Sequence, residues 1–155
     1  MQKFQVRVEN LVNTKEKFEY DEAVGEMRLD FVFKDGLLWP YNYGEILNTL
    51  GGDGDKLDAI IISSGSLEIG NVIECRTVGI IELLDRGERD DKIICIPVTD
   101  EAMEKYQDFK DLDNSWQNKF KDFLMELAKQ KNKTMEILAF HGKIKAEEEI
   151  KKALI

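Results

Sequence analysis

The sequence predicts an α+β fold in which strands come first and helices follow. Up to about residue 98, apolar and polar residues alternate or form short runs rich in isoleucine and valine, as strands require. After Thr99 the apolar residues recur at helical spacing instead. The 155 residues, 43% of them hydrophobic, are expected to form a single domain, 1–155, around one core.

The strands are predicted from two kinds of pattern. Segments in which apolar and polar residues alternate predict an antiparallel meander with a turn at residues 23–25: 4–12, 17–21 and 26–33. Segments rich in Ile and Val predict strands that are buried on at least one face: 57–63, 72–84 and 92–98. Glycine- and aspartate-rich turns at 51–54 and 85–87 separate these strands.

Helices are predicted in the C-terminal third and are expected to cover one end or side of the sheet. Thr99 or Asp100 is placed to cap a short helix through Tyr106, and Asn114 or Ser115 to cap a longer one. Residues 134–140 are expected to return as a strand, and residues 146–154 to close the chain as a helix with Ile150 and Leu154 turned inward. The longer helix has one apolar face, made of Trp116, Phe120, Phe123, Leu124 and Leu127.

Composition excludes several classes of function. A formal net charge of −9 is incompatible with the basic surface that binds nucleic acid. Residues 1–9 alternate and lack the apolar core of a signal peptide, and no segment approaches the roughly 20 apolar residues that span a bilayer. A cytoplasmic protein with no membrane partner is therefore expected. Cys75 and Cys95 lie in apolar runs without metal-site spacing, which predicts buried thiols.

The densest chemical signal is the turn Asp53-Gly54-Asp55-Lys56-Leu57-Asp58, which leads directly into an apolar run. Its three carboxylates supply hard oxygen ligands of the kind that Mg²⁺ or Mn²⁺ prefers. A calcium-binding EF-hand does not fit, because the twelfth position from Asp53 is Ser64 and not glutamate. A solvated acidic loop is the alternative interpretation.

A second acidic turn, residues 85–92, also leads directly into an apolar strand. If the two strands run in the same direction in one sheet, both acidic turns lie at the same rim and together could hold several metal ions. Otherwise the second turn is an ordinary charged hairpin.

A third element is the aromatic segment Trp39-Pro40-Tyr41-Asn42-Tyr43-Gly44, which taken alone is typical of an aromatic turn anchored in a core. It lies between Lys17-Phe18-Glu19 and the two acidic turns. This ordered set, from about residue 15 to residue 98, resembles the signature of family I inorganic pyrophosphatases.

The resemblance implies an OB-like five-stranded closed β-barrel with flanking α-helices and a site at one rim. It implies magnesium-dependent hydrolysis of inorganic pyrophosphate to two phosphates, with Mn²⁺ as the alternative ion. It also implies a homo-oligomer, a hexamer in bacterial members.

The resemblance further implies a role for each matching residue. Asp55 corresponds to the carboxylate that accepts a proton from the attacking water. Glu19 corresponds to a supporting acidic position. The remaining matches are metal ligands, Asp53, Asp58, Asp85 and Asp90, and phosphate contacts, Lys17, Tyr43 and Lys92.

The sequence departs from the family pattern at three phosphate-binding positions. Phe31 replaces an arginine, and Leu127 and Ala128 replace a tyrosine–lysine pair. For a metal-ligating glutamate near the N-terminus, strict spacing gives Val8 and a one-residue shift gives Glu9.

These departures leave two alternatives to pyrophosphate hydrolysis. One is a metal-dependent hydrolase of another phosphoanhydride, a nucleotide or a short polyphosphate, for which Phe31 offers an apolar or stacking surface. The other is a non-catalytic relative that binds metal or phosphate. The basic residues considered as replacements for the lost ligands are Arg28, Arg86, Arg89 and Lys129.

Overall fold

A computed structural model describes residues 2–155. Within this range the chain forms nine strands and two α-helices. The strands are β1 (Phe4–Asn10), β2 (Glu16–Asp21), β3 (Glu26–Val32), β4 (Asn42–Ile46), β5 (Asp58–Ile61), β6 (Val72–Asp85), β7 (Glu88–Arg89), β8 (Lys92–Pro97) and β9 (Met135–Gly142). The helices are α1 (Ser115–Gln130) and α2 (Lys143–Ala153), with short 3₁₀ turns at Glu101–Met103 and Phe109–Asp111.

Five strands close into a ring. β1 pairs with β4, β4 with β5, β5 with β8 and β8 with β6, and β6 pairs back with β1. Only the β5–β8 pairing within this ring is parallel. β7 and β9 extend the sheet from the long strand β6. The α+β class and the OB-like five-stranded closed barrel are therefore confirmed.

The helices pack on the ring through the apolar positions of their inner faces. All five residues of the predicted α1 face are buried, and Trp116, Phe120 and Leu124 join the cluster around β6 and β8. Ala146 and Ile150 of α2 join the cluster formed by β1, β5 and β8. The predicted burial of both cysteine thiols is also confirmed. No helix in residues 2–155 has the length and apolarity needed to traverse a bilayer.

Leu154 was predicted to turn inward, and this prediction was wrong. The helix ends at Ala153, and Leu154 adopts an extended backbone conformation with its side chain 49% exposed. Its backbone pairs with Thr49, so the end of the chain follows the barrel as a short bridge.

The predicted meander of the first three strands forms only in part. β2 and β3 form a separate two-stranded hairpin, as expected, but β1 joins the barrel. The cause is burial: Val6 and Val8 of β1 are fully buried, whereas no residue of β2 or β3 is. Asn10 anchors the hairpin to β1, because its side chain both donates to and accepts from the backbone of Phe18 at 3.0 and 2.7 Å.

The aromatic segment continues into a strand, β4, that its composition did not predict. Gly44 allows this strand to lie against β1, since a Cβ atom there would lie 2.2 Å from the Arg7 carbonyl oxygen. The short helix predicted to reach Tyr106 is reduced to a 3₁₀ turn. Asp100 does not cap it, and its carboxylate instead accepts hydrogen bonds from the Ser64 amide and hydroxyl.

Candidate active site

The parallel pairing of β5 and β8 brings the two acidic turns to one rim of the barrel. Asp58, the first residue of β5, lies directly opposite Lys92, the first residue of β8. Because each strand follows an acidic turn, the carboxylates of both turns meet at the edge where these strands begin. The two strands run in the same direction, which is the arrangement that lets both acidic turns share one site.

Lys92 lies at the centre of this rim. Its Nζ donates to Asp58 Oδ2 at 2.6 Å and to Asp90 Oδ2 at 2.9 Å, and it lies 5.5 Å from the centroid of the Tyr43 ring. Burial alone would lower the pKa of Lys92, but the negative charges of Asp58 and Asp90 outweigh it and hold that pKa well above its ordinary value. For the Tyr43 hydroxyl, burial itself raises the pKa well above its ordinary value. The site therefore contains a permanent cation and a neutral hydroxyl donor.

These residues open into a cleft of about 710 Å³ between the barrel rim, the β2–β3 hairpin and α1. All nine residues that the sequence singled out for metal, substrate or catalytic roles line it. Among its described lining residues, carboxylates outnumber basic side chains ten to seven. A polyanion would be repelled by such a cleft unless cations enter with it.

The β2–β3 hairpin supplies a second cation to the cleft. Lys17 Nζ donates to Glu19 Oε1 at 2.8 Å and to Asp30 Oδ2 at 2.9 Å. Burial alone would lower the pKa of Lys17, but these two carboxylates raise it. Glu19 therefore holds the lysine in place, and Asp30 does so too, although Asp30 was not predicted to have a role.

Asp85 ends β6 beside a tight turn. Arg86 and Gly87 form its two-residue loop, both in the left-handed region with φ of 52° and 82°, which suits the twist of a hairpin. The Asp85 carboxylate accepts from Lys133 Nζ at 2.7 Å and Arg86 Nε at 3.0 Å. Burial alone would raise the pKa of Asp85, but Lys133 and Arg86 lower it, so the group is ionised. Lys133 was not predicted to contribute.

The first acidic turn presents Asp55 differently from the other carboxylates. The Asp55 amide donates to Asp53 Oδ1 at 3.0 Å, and its carbonyl accepts from the Gly51 amide at 2.7 Å. Gly54, at φ 87°, supplies the left-handed residue that this tight path requires. An ion pair from Lys56 to Glu22 ties the turn to the β2–β3 hairpin. The backbone of Asp55 is thus fixed while its side chain is exposed to the cleft.

The donor chemistry of the cleft fits a divalent cation, although its carboxylates are not arranged around one. Within residues 2–155, no three carboxylates converge on a common point at ligand distances. Lys92 lies between Asp58 and Asp90, and Lys133 binds Asp85. The cleft therefore contains the oxygens that hard divalent ions prefer, and those of Asp58, Asp85 and Asp90 are neutralised by lysines.

Glu9, and not Val8, is the glutamate of β1 that lines the cleft. Val8 is fully buried in the barrel core, whereas Glu9 lines the cleft and accepts a hydrogen bond from the Tyr20 amide at 2.9 Å. Burial raises the pKa of Glu9 to about 8, and the charges of Glu45 and Asp58 add to this effect. The structure therefore agrees with Glu9, the position given by a one-residue shift, and not with Val8, the position given by strict spacing.

Substituting Glu9→Gln is expected to stabilise the metal-free protein at high pH. Between about pH 4.5 and pH 8 the folded state holds a proton that the unfolded state has lost, so stability falls as pH rises through this window. Glutamine keeps the acceptor for Tyr20 but carries no charge. The variant should be more stable than the parent by about 2–4 kcal/mol at pH 8.5 and nearly equal to it at pH 5.

Urea unfolding with EDTA at both pH values measures this difference. Glu88→Gln is the matched control, because Glu88 is an exposed carboxylate of the same cleft. An equal gain for Glu9→Gln at pH 5 and pH 8.5 would contradict the assignment.

The three departures from the family pattern have different surroundings. Phe31 is not among the residues that line the cleft, and the centroid of its ring lies 6.1 Å from that of Phe33. Leu127 lines the cleft, and Ala128 does not.

Of the four basic residues considered as replacements, two line the cleft and two do not. Arg28 and Lys129 do not line the cleft. Arg86 and Arg89 do, but their guanidinium groups bind Asp85 and Asp91. Lys131 lines the cleft as well and was not considered, because its position depends on where α1 ends relative to β3.

Comparisons with known proteins agree with this geometry. The family model described as inorganic pyrophosphatase matches residues 6–154. The inorganic pyrophosphatase of Saccharolobus solfataricus is 36% identical over 89% of this chain and 82% of its own. That of Thermoplasma volcanium is 32% identical over 97% of this chain and 90% of its own.

The solved structures show the same relationship. The inorganic pyrophosphatase of Helicobacter pylori superposes with a TM-score of 0.92 at 30% identity, covering 98% of this chain and 91% of that chain. The Thermus thermophilus enzyme superposes with a TM-score of 0.91 at 28% identity, covering 97% of this chain and 88% of that chain. The family model thus matches almost the whole sequence, and two relatives exceed 30% identity. The chain belongs to the inorganic pyrophosphatase family.

Proposed function

We propose that this chain is a single-domain enzyme that hydrolyses inorganic pyrophosphate to two phosphates with the help of divalent metal ions. The observation that carries the proposal is the parallel register of β5 and β8. It places Asp58, Asp90 and Lys92 in contact at the mouth of a cleft that also holds Asp53, Asp55 and Asp85.

Four aspartates are proposed to hold the metal ions, Asp53, Asp58, Asp85 and Asp90. Mg²⁺ is the ion we propose, with Mn²⁺ as the alternative, because the donors are all carboxylate oxygens. When bound, such ions lower the pKa of a coordinated water and neutralise phosphate oxygens. Glu9 adds a fifth carboxylate on the β1 side of the cleft.

The remaining residues are proposed to act on the substrate and the attacking water. Asp55 accepts the proton that the water loses, because its side chain is exposed to the cleft while its backbone is fixed. Lys17 and Lys92 neutralise phosphate oxygens, and the neutral Tyr43 hydroxyl donates a hydrogen bond to one of them. Glu19 positions Lys17. Lys17 and Lys92 pair with carboxylates in the structure, and on substrate binding they would also pair with phosphate oxygens.

Pyrophosphate is preferred over a nucleotide as the substrate. Phe31 packs against the aromatic cluster of Phe33, Trp39 and Phe123 and does not itself line the cleft, which argues against a base stacking on its ring. The cleft is polar and rich in both signs of charge, which suits a small polyanion carried with its metal ions.

A phosphate-release assay tests the proposal. Pyrophosphate, ATP and tripolyphosphate are supplied at equal concentration with Mg²⁺, with Mn²⁺ and with EDTA. We expect release from pyrophosphate that requires the divalent ion and exceeds release from the other two. Faster phosphate release from ATP or tripolyphosphate would assign another phosphoanhydride as substrate. No phosphate release from any of the three would support the non-catalytic alternative.

We propose that the protein is cytoplasmic and forms a homo-oligomer, with a hexamer implied by the family resemblance. Exposed apolar side chains on three elements support self-association, Met125 on α1, Leu138 on β9 and Ile144 on α2. Sedimentation velocity at micromolar concentration tests this, since a monomer under those conditions would rule out assembly.

A further inference from the structure

Lys131 differs from the other basic side chains of the cleft in how weakly it is paired. Lys17, Lys92 and Lys133 each donate to a carboxylate at 2.6–2.9 Å. Lys56, Arg86 and Arg89 likewise each have a carboxylate within hydrogen-bond distance. Lys131 Nζ has one ion-pair partner among the described residues, Asp30 Oδ2, at 3.6 Å. This distance exceeds that of a hydrogen bond, so the ammonium retains its capacity to bind an anion.

The position of Lys131 is fixed by the end of α1. Its amide donates to the Leu127 carbonyl at 3.0 Å, so it lies one helical turn beyond Leu127 on the face that lines the cleft. Its ammonium lies 5.4 Å from the centroid of the Phe31 ring, within the range of a cation–π contact. The side chain is 25% exposed, which allows a ligand to reach it.

Asp30 brings Lys131 together with Lys17. Both ammonium groups approach the same oxygen, Asp30 Oδ2, at 3.6 and 2.9 Å. Lys17 lies on β2 and Lys131 follows the end of α1, and both line the cleft. The aspartates of the acidic turns lie across from them, where β5 and β8 begin and β6 ends. The cleft therefore has a carboxylate side and a lysine side.

We infer that Lys131, together with Lys17, binds the phosphate group of the substrate that lies against this lysine side. The inference rests on the proposed function and assigns a substrate-binding residue to it. Lys131 supplies from the end of α1 a positive charge that positions 31 and 128 do not carry. Phe31 then contributes differently from an arginine, because its ring makes a cation–π contact with the lysine ammonium.

The test compares Lys131→Met with Lys131→Arg and with Lys129→Met. Methionine removes the charge and retains an unbranched apolar side chain against Phe31, and arginine keeps the charge. Lys129 is the matched control, because it is exposed on the same helix and does not line the cleft. Two quantities are measured with Mg²⁺ present: KM for pyrophosphate, and the Kd of the non-hydrolysable analogue methylenediphosphonate by calorimetry.

Lys131→Met should raise both KM and Kd about tenfold, the lower end of the range for a charge-assisted hydrogen bond at a partly exposed site. Lys131→Arg should restore most of this loss, Lys129→Met should change neither value, and Mg²⁺ affinity should stay that of the parent. Unchanged KM and Kd in Lys131→Met would overturn the inference. Lys131→Gln replaces the methionine variant if that variant does not fold.

The two readouts separate this inference from the proposed function. If the parent protein does not hydrolyse pyrophosphate, the proposed function fails, and the Kd of the diphosphonate still decides whether Lys131 binds a phosphate group. If the parent is active and Lys131→Met matches it in both readouts, only the inference fails.

Discussion

Substituting Asp58→Asn and Asp90→Asn together is expected to abolish both divalent-metal binding and pyrophosphate turnover. The two carboxylates meet at Lys92, Asp58 at the start of β5 and Asp90 two residues before β8. Asparagine keeps the size of each side chain and removes both negative charges. Mg²⁺ affinity should fall by more than about 100-fold, since losing a group that merely supports a metal ligand already costs about 10–100-fold.

The double substitution also leaves Lys92 as a buried cation without a carboxylate. Removing the partners of a buried charge costs about 3–5 kcal/mol, so circular dichroism must show that the variant is folded. Each single variant leaves Lys92 one of its two partners and provides a second route to the same measurement. Both single variants should weaken Mg²⁺ binding in isothermal titration calorimetry and lower kcat.

Asp91→Asn is the matched control for this experiment. Asp91 lies next to Asp90 in the chain but binds Arg89 and the Leu83 amide, and it does not line the main cleft. Its substitution should leave metal affinity close to that of the parent. Metal binding that survives in the folded double variant, or is lost equally in Asp91→Asn, would show that the metals bind elsewhere.

The parts of this site that could be predicted from the sequence are those that depend on local pattern. The apolar runs after each acidic turn identify β5 and β8, because a buried strand must be apolar on both faces. Glycine and aspartate in the turns identify where those strands begin. The carboxylate side of the cleft follows from these local signals and from the family resemblance.

Lys131 and Lys133 could not be predicted in this way, although Lys17 was. Lys131 meets Asp30 only because the end of α1 packs beside β3, and the two residues are far apart in the sequence. Spacing within a motif carries no information about such a contact. Lys133 reaches Asp85 through another contact between distant segments, because β9, which begins two residues later, pairs with β6.

Burial explains the remaining differences between the predicted and observed fold. β1 and β2 both alternate, but only β1 carries valines that fill the barrel, and a pattern of period two does not reveal which partner a strand chooses. β4 was not predicted as a strand, because aromatic residues and glycine are also typical of a turn. Glycine is required at position 44 because β1 lies so close to β4. The hairpin strands β2 and β3 separate these two strands in the sequence, so the contact is not a local one.

Asp55→Asn is expected to separate catalysis from metal binding. The Asp55 side chain has no ion-pair partner within 4 Å among the described residues, unlike Asp58, Asp85 and Asp90. A carboxylate that is exposed to the cleft and not already neutralised by a lysine is available to take a proton from water. Losing a general base typically lowers kcat by about 10²–10⁴-fold, and this is the effect we expect.

The contrast with Asp53→Asn makes this test specific. The Asp53 carboxylate accepts the Asp55 amide and is a proposed metal ligand, so its substitution should weaken Mg²⁺ binding as well as turnover. Asp55→Asn leaves that hydrogen bond in place and should keep Mg²⁺ affinity near that of the parent. Steady-state kcat and calorimetric Kd for Mg²⁺, measured on both variants, decide between the roles. If Asp55→Asn reduced metal affinity as much as it reduced kcat, the residue would be a ligand and the water would need another base.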